Sequence, residues 1–477
     1  MAARERPRPA RSRLGPVLVV LTVIAAAATV GAAVTGADHA SSSTTSTVRH
    51  LTTPVLSARR VGPLVADRIA DAALRPALDT FLVKAPPQTC LSVAAVDHVA
   101  YEHNPDLAVA PASTQKLVTS TVLLDQLGPE TRLRTKVVAA NPPSGDGTVD
   151  GDLWLVGGGD PLLETKDYAG HFFDQTQLFT PLESLADAVA TAGVKHVAGR
   201  VVGDESRYDG LRVVPSWSPR FTAQHQLGPL SALNVNDNVR DWPSRQQPLT
   251  PDGVGVSDPP SNAAERFRSL LQERGVSVDG GGGNGAAPVN GRELAGVDSL
   301  PVRDLVREML LESDNQTAEI LLKELGRVKG GAPTTAAGLA VVKTVAPRLG
   351  LPANGLAPVD GSGLDDNNRE TCRILLTALT RSGPSPLVPL LAVAGQTGTL
   401  TTRFKGSPVA GRLRAKTGSL NSVSSLAGQL PTAKGETVTF AFVQNGPNVD
   451  TRLQDQLVAI LDTYPNGPTA AELSPLP

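Results

Sequence analysis

A chain of 477 residues, 40% hydrophobic and 19% charged, has the composition of a soluble globular protein, and its length calls for two or three domains rather than one. A net charge of −2 with no basic block in the body of the chain excludes an extended nucleic-acid surface. Aromatics at 3% leave the core to be built from Ala, Val and Leu.

The N-terminus departs from this average. Arg4, Arg6, Arg8, Arg11 and Arg13 precede an uncharged run over residues 14–37. That pattern reads as an export signal whose arginines stay on the cytoplasmic side. The run is long enough to span a bilayer as a single N-terminal membrane anchor, while small residues near Val34, Gly36 and Ala37 suit a signal peptidase. The sequence leaves both open, and either one places the rest of the chain outside the cytoplasm, in the cell envelope. Residues 1–40 are therefore assigned as signal or anchor and 41–54, rich in Ser and Thr, as a linker.

Residues 55–131 read as the first part of a catalytic domain. Helical spacing covers 65–82, with a kink expected at Pro76; a hairpin follows at 91–96 and 99–102. A helix over 113–127 carries Leu117, Val118, Val122 and Leu123 on one face, with Pro111 ahead of it and Gly128 closing it.

Residues 132–294 change character. Short β-type runs at 133–138 and 153–156 alternate with Gly/Pro/Asn/Asp turns, and short helices are expected at 182–192 and 263–274. The glycine-rich stretch 280–291 is expected to be a loop; its GxGxxG match has no strand-then-helix context, and Gly157–Gly159 lacks the Lys-Ser/Thr of a phosphate loop. Helical patterning returns over 301–325, then β-type runs at 412–419, 423–430 and 437–443 and a helix at 451–461 complete a second catalytic part, 295–465, before a tail at 466–477. The expected fold class is α+β: an antiparallel sheet with helices, carrying an inserted β-rich domain.

Three short motifs carry the chemistry. In Ser113-Thr114-Gln115-Lys116, helical spacing puts a hydroxyl and an amine on one face. A serine needs a neighbouring base to become a nucleophile, and a lysine serves as that base only if burial or cationic neighbours lower its pKa. No other lysine in the chain follows a serine at this offset. Ser313-Asp314-Asn315 falls between two helical stretches, where Ser313 can relay a proton and the Asn315 amide can hold a peptide; alone, such a tripeptide is usually a turn or a cap. Lys416-Thr417-Gly418 lies in a predicted strand whose edge can pair with an extended peptide, Gly418 permitting close approach. Their order and element types make coincidence the weaker reading.

A Ser-His-Asp triad is disfavoured: there is no GxSxG elbow, and none of the seven histidines lies in these segments. His98, His103, His171, His196 and His225 lack metal-ligand spacing, so packing or surface roles are expected, with no metal and no cofactor. Cys90 and Cys372 suit an exported chain as a disulfide pair, two separate buried thiols being the alternative.

With these motifs in hand, the chain resembles the class C low-molecular-mass penicillin-binding proteins, the D-alanyl-D-alanine carboxypeptidase/endopeptidase family. The likeness extends over Gly151-Asp152-Leu153 to Gly159-Asp160-Pro161, Asp360-Gly361-Ser362-Gly363-Leu364, Arg403-Phe404-Lys405-Gly406 and Ala410-Gly411 to Thr417-Gly418, and it runs from about Val55 to Asp462. The resemblance implies that Ser113 is acylated by the penultimate D-Ala carbonyl, with Lys116 as general base and Ser313 and Lys416 passing the proton to the leaving amine. It places Asn315, Thr417, Gly418 and Ser419 against the substrate, the N–H groups of Ser113 and Ser419 forming an oxyanion hole. Peptidoglycan stem peptides are the implied partners and β-lactams the implied inhibitors. No E-x-x-L-N stretch supplies a deacylating glutamate, which favours a penicillin target over a β-lactamase or esterase on the same fold. A non-catalytic cell-wall-binding protein is the third reading, and the intact motifs weigh against it.

Overall fold

Cys90, Ser92 and Ala94 point to one face of a strand and Leu91, Val93 and Ala95 to the other, and all six are buried. Because side chains alternate along a strand, this requires a sheet covered on both faces. The computed structural model describes residues 58–95, 98–172, 174–224, 226–240, 255–381, 387–469 and 472–473. The arginine patch, the apolar run, the linker, Val96 and His225 lie outside the described residues.

Helix α1 (Ala58–Leu82) leads into strands β1 (Gln88–Ala95) and β2 (His98–His103) and helix α2 (Gln115–Leu127). The next segment contributes β3 (Arg134–Ala139), β4 (Leu153–Val156), α3 (Leu182–Thr191), β5 (Val201–Asp204), α4 (Pro259–Glu273), β6 (Gly282–Asn284) and β7 (Arg292–Asp298). Then come α5 (Val302–Leu311), α6 (Asn315–Lys329), α7 (Thr335–Arg348), α8 (Cys372–Thr380), β8 (Ala392–Val393), β9 (Arg414–Leu420), β10 (Val423–Pro431), β11 (Thr437–Asn445) and α9 (Arg452–Leu461).

The first sheet is antiparallel throughout, in the order β8-β9-β10-β11-β1-β2. One face packs Leu91, Val93, Leu426, Phe440 and Phe442 against Leu74 and Leu78 of α1 and Leu453 and Leu457 of α9. The other packs Cys90, Val423, Ala427, Ala441 and Val443 against α2, α5, α6, α7 and α8. Each fully buried Leu or Phe contributes roughly 1.5–3 kcal/mol of transfer free energy, which makes this sandwich the dominant stabilising layer. Cys90 of β1 is bonded to Cys372, the first residue of α8, with the Cα atoms 5.8 Å apart. Helix α1 is one helix across Pro76: the proline removes one hydrogen bond, but the stripe Ala70, Leu74, Leu78 and Phe81 anchors the helix to the sheet.

The second sheet has the order β6-β5-β4-β3-β7, with β6, β5 and β4 parallel and β3 and β7 antiparallel. Helices α3 and α4 cover it through Leu182, Leu185, Val189, Ala263, Phe267 and Leu271. Two expectations change here. The stretch expected as a loop contains β6, paired in parallel with Val201–Gly203 of β5. Glycine hides this strand from any β-propensity reading, yet it is what the packing needs, since a Cβ on Gly282 would lie 2.7 Å from the Glu265 backbone nitrogen of α4. The sheet also runs past residue 294, because β7 continues to Asp298 opposite β3.

Ion pairs and hydrogen bonds tie this segment to the rest, among them Arg207 to Glu324 at 2.8 Å, Arg220 to Asp366 at 3.1 Å, Lys323 to Asp209, and Trp217 Nε1 to Asp360 at 2.9 Å. Residues 62–473 accordingly form one compact unit.

Candidate active site

Ser113 does not open the α-helix, as its spacing suggested. It sits in a 3₁₀ turn, Ala112–Thr114, immediately ahead of α2, and Ala112 holds φ at +50°. In a 3₁₀ turn residues i and i+3 nearly eclipse, which serves the Ser113–Lys116 pairing better than an α-helical turn. The turn is braced by Thr114 Oγ1 and Ser425 Oγ, each donating to the Pro111 carbonyl at 2.7 Å. Helix α2 was expected to be amphipathic; instead residues 115–124 are all buried, polar ones included, because the helix runs through the middle of the helical layer.

Lys116 has no exposed surface. Its Nζ lies 3.0 Å from Ser113 Oγ, 2.7 Å from Asn315 Oδ1 and 2.7 Å from the Ser362 carbonyl. The last two are acceptors, so they take two N–H bonds of the amine. A neutral amine then turns its lone pair toward the Ser113 hydroxyl. Burial lowers the Lys116 pKa to about 8, opposed by the carboxylates of Asp314, Asp360 and Glu319, which raise it.

Asn315 begins α6, and Asp314 caps that helix by accepting from the backbone N–H groups of Gln316 (2.8 Å) and Thr317 (3.2 Å). Ser313, just before the cap, holds φ at +62°, a left-handed conformation that turns the chain between α5 and α6. The Asn315 amide donates through Nδ2 to the Gln226 carbonyl at 2.8 Å, which fixes Oδ1 toward Lys116.

Lys416 of β9 is also fully buried and donates to Ser313 Oγ at 2.8 Å and to the Thr417 carbonyl at 2.9 Å. Burial holds its pKa well below the ordinary lysine value, the nearby Lys116 charge lowers it further, and Glu312 opposes both. Thr417 Oγ1 donates to Thr399 Oγ1 at 3.0 Å. Gly418 is required by space: a Cβ there would lie 2.2 Å from Ser425 Oγ and 2.9 Å from the Ser113 nitrogen. Strand β8 pairs with Arg414 and Ala415 alone, so among the described residues the stretch from Lys416 onward has no strand partner on that side.

A cleft of about 370 Å³ is lined by Ser113, Ser313, Asn315, Thr417, Gly418 and Ser419 together. The three motifs thus meet, although Lys116 and Asn315 are 199 residues apart in sequence and Ser313 and Lys416 are 103. Sequence reasoning missed Thr399, the Ser362 carbonyl, and a wall from the inserted segment made by Gln226, Tyr168 and Asp237. Only the segments around Ser362 and Arg403 carried a signal, and none attached to a particular atom. Arg403 is tied away from the cleft, donating to Gln454 at 2.8 Å and to Asp455 at 2.5 Å.

Two of the histidines are paired away from this site: His98 with Asp71 at 2.9 Å and His196 with Asp279 at 3.0 Å. Among the described residues, no cluster of three or more His, Cys, Asp or Glu side chains could hold a metal ion, and no helix is long and apolar enough to cross a membrane.

Comparison with known proteins adds an independent line. The model of the D-Ala-D-Ala carboxypeptidase 3 (S13) family matches residues 74–247 and 241–464. A D-alanyl-D-alanine carboxypeptidase of Actinomadura sp. is 28% identical over 74% of this chain and 77% of its own. A carboxypeptidase of Mycobacterium tuberculosis is 32% identical over 72% and 73%. The crystal structure of penicillin binding protein 4 from Haemophilus influenzae superposes with a TM-score of 0.66 at 21% identity, covering 81% of this chain and 99% of that one. The same protein is also known in complex with a β-lactam, and in that form it superposes with a TM-score of 0.61.

Proposed function

The chain belongs to the D-Ala-D-Ala carboxypeptidase 3 (S13) family, and from that premise we propose that it cleaves peptidoglycan stem peptides through an acyl-enzyme on Ser113, acting as a serine-type DD-carboxypeptidase and endopeptidase. The observation that carries the assignment of residues is the coordination of Lys116: two of its amine positions are held by acceptors and the third faces Ser113 Oγ at 3.0 Å.

In this reading the Lys116–Ser113 contact starts the reaction. Neutral Lys116 takes the Ser113 proton as Oγ attacks the penultimate D-Ala carbonyl. The resulting oxyanion is held by the backbone N–H groups of Ser113 and Ser419. The C–N bond breaks as a proton passes through Ser313 and Lys416 to the departing amine, and water then hydrolyses the ester. The substrate backbone pairs along the open side of β9, with Asn315 holding its amide and Thr417 near its terminal carboxylate. Residues 132–298 act as an inserted domain that walls the cleft through Gln226, Tyr168 and Asp237. β-Lactams acylate the same serine. The enzyme works outside the cytoplasm, delivered there by the N-terminal segment as a signal or anchor.

Fluorescent penicillin should label the protein covalently, and Ser113→Ala should abolish the label. Labelling that survives the substitution would place the nucleophile elsewhere. Mass spectrometry of cross-linked and uncross-linked muropeptides after incubation divides carboxypeptidase from endopeptidase activity, and rapid turnover of a chromogenic cephalosporin would identify a β-lactamase instead.

A further inference from the structure

Lys116 can present a lone pair to Ser113 only while both of its other positions stay occupied. One partner, Asn315 Oδ1, is a side chain on α6. The other is a main-chain carbonyl, Ser362 O, in the loop 360–365, which lies outside all three motifs. The Ser362 carbonyl shares its peptide plane with the Gly363 N–H, which donates to Asp360 Oδ1 at 2.7 Å. The two planes before it carry the Gly361 and Ser362 N–H groups, so whatever fixes those two planes helps aim the carbonyl at the amine.

That role falls to a side chain the mechanism has not used. Glu319 has no exposed surface, and its Oε1 accepts the backbone N–H groups of both Gly361 (2.9 Å) and Ser362 (2.8 Å). It stands four residues after Asn315 on α6, on the same helical face. One helix therefore supplies both anchors of the lysine, directly through Asn315 and through the loop by way of Glu319. A second tie comes from α2 itself, where Thr119 Oγ1 donates to the Gly361 carbonyl at 2.8 Å. Space reinforces the fit: Gly363 holds φ at +81°, and a Cβ there would lie 1.9 Å from the carbonyl oxygen of Ala112, the residue before the nucleophile. The other carboxylate oxygen of Glu319, Oε2, is buried without a hydrogen-bond partner. A site under selection for stability alone has no need to bury a carboxyl group in that way.

We propose that Glu319 is a positioning residue for acyl-enzyme formation, acting through the 361–362 backbone to hold the Ser362 carbonyl against Lys116. This rests on Lys116 being the base of the proposed function. The role belongs to one oxygen accepting two N–H groups, so it does not require a charge, and a glutamine can fill it.

The test is the single-turnover rate of acylation by fluorescent penicillin in the full chain, measured with KM for D-Ala release and with thermal stability. Glu319→Met keeps the volume and removes the acceptor; its acylation rate should fall about 100-fold, the penalty of a displaced catalytic group, with KM nearly unchanged. Glu319→Gln should recover to within a few-fold of wild type. Thr119→Val loosens the same loop from α2 and should lose a smaller factor in the same parameter, which keeps the test open if Glu319→Met does not fold. Wild-type acylation in Thr119→Val together with either wild-type acylation in Glu319→Met or its failure to fold would overturn the inference. So would a Glu319→Gln variant as slow as Glu319→Met. Ser113→Ala and Lys116→Ala run alongside: if they lose acylation and the Glu319 variants do not, the proposed function stands and only the positioning role falls.

Discussion

The buried lysine makes the pH dependence of acylation the most exacting test of this site. With its pKa lowered to about 8, the neutral fraction of Lys116 is about 1% at pH 6, about 9% at pH 7 and about 90% at pH 9. An unshifted lysine would be neutral at only about 0.04% at pH 7, so burial is worth about a 200-fold gain in competent enzyme at that pH. The acylation rate should therefore rise nearly tenfold per pH unit below 7 and level off above 8 to 9. Removing the carboxylate that does most to raise this pKa, by Asp314→Asn, should move the midpoint to lower pH while the amide oxygen keeps a cap on α6. The assay is stopped-flow or quenched labelling with a fluorescent penicillin across pH 5.5 to 10, at constant ionic strength. A profile that is flat from pH 6 to 9, or one whose midpoint sits near the ordinary lysine value, would refute the assignment of Lys116 as a neutral base.

Other consequences are independent of that titration. Gly418→Ala forces a methyl group into Ser425 and the Ser113 backbone; labelling should fall by at least about 100-fold and unfolding free energy by roughly 1–3 kcal/mol, read by denaturant titration. Replacing both Cys90 and Cys372 by Ala opens a cross-link between residues 282 apart in sequence and should cost about 2–5 kcal/mol, with reductant lowering the melting temperature of the wild type but not of the variant. Glu370 is fully buried, neither of its carboxylate oxygens has a hydrogen-bond partner, and burial raises its pKa well above the usual glutamate range. The folded state thus keeps a proton that the unfolded state releases, so this contribution is complete below the unfolded pKa and is lost as pH rises toward the folded one, at up to about 1.4 kcal/mol per unit. Glu370→Gln should remove one proton's worth of that slope from a plot of stability against pH; an unchanged slope would count against it.

Much of the helix and strand pattern was legible because period and propensity are local. The strand at 153–156 was placed to the residue, and the three C-terminal runs fell on β9, β10 and β11 within two residues at each end. Helices α7 and α8 drew no expectation, although Thr334 and Thr371 cap them with their side-chain oxygens. Strand β6 was hidden by its glycines, since a residue without a side chain gives no alternation to read. The turn at Ser113 was read as α-helix because its i+3 pairing is common to both helical forms, and only backbone dihedrals separate them.

The chain by itself singled out the candidate reacting groups: one hydroxyl and one amine three residues apart, a polar turn between helices, and a strand with Lys, Thr and Gly in succession. Local spacing suffices for that, because neighbours along a helix or strand are neighbours in space. Only the tertiary structure decided which distant atoms complete the lysine's shell. The Asn315 oxygen comes from 199 residues away and the Ser362 carbonyl from 246, while the Gln226 carbonyl that orients Asn315 lies 89 residues before it. Such contacts depend on how helices α2 and α6 pack against each other and against the loop at 360–365, and a packing arrangement leaves no periodic trace in the residues that make it. The lowered pKa belongs to the same level, since it arises from the exclusion of water by the whole helical layer and from no single neighbour.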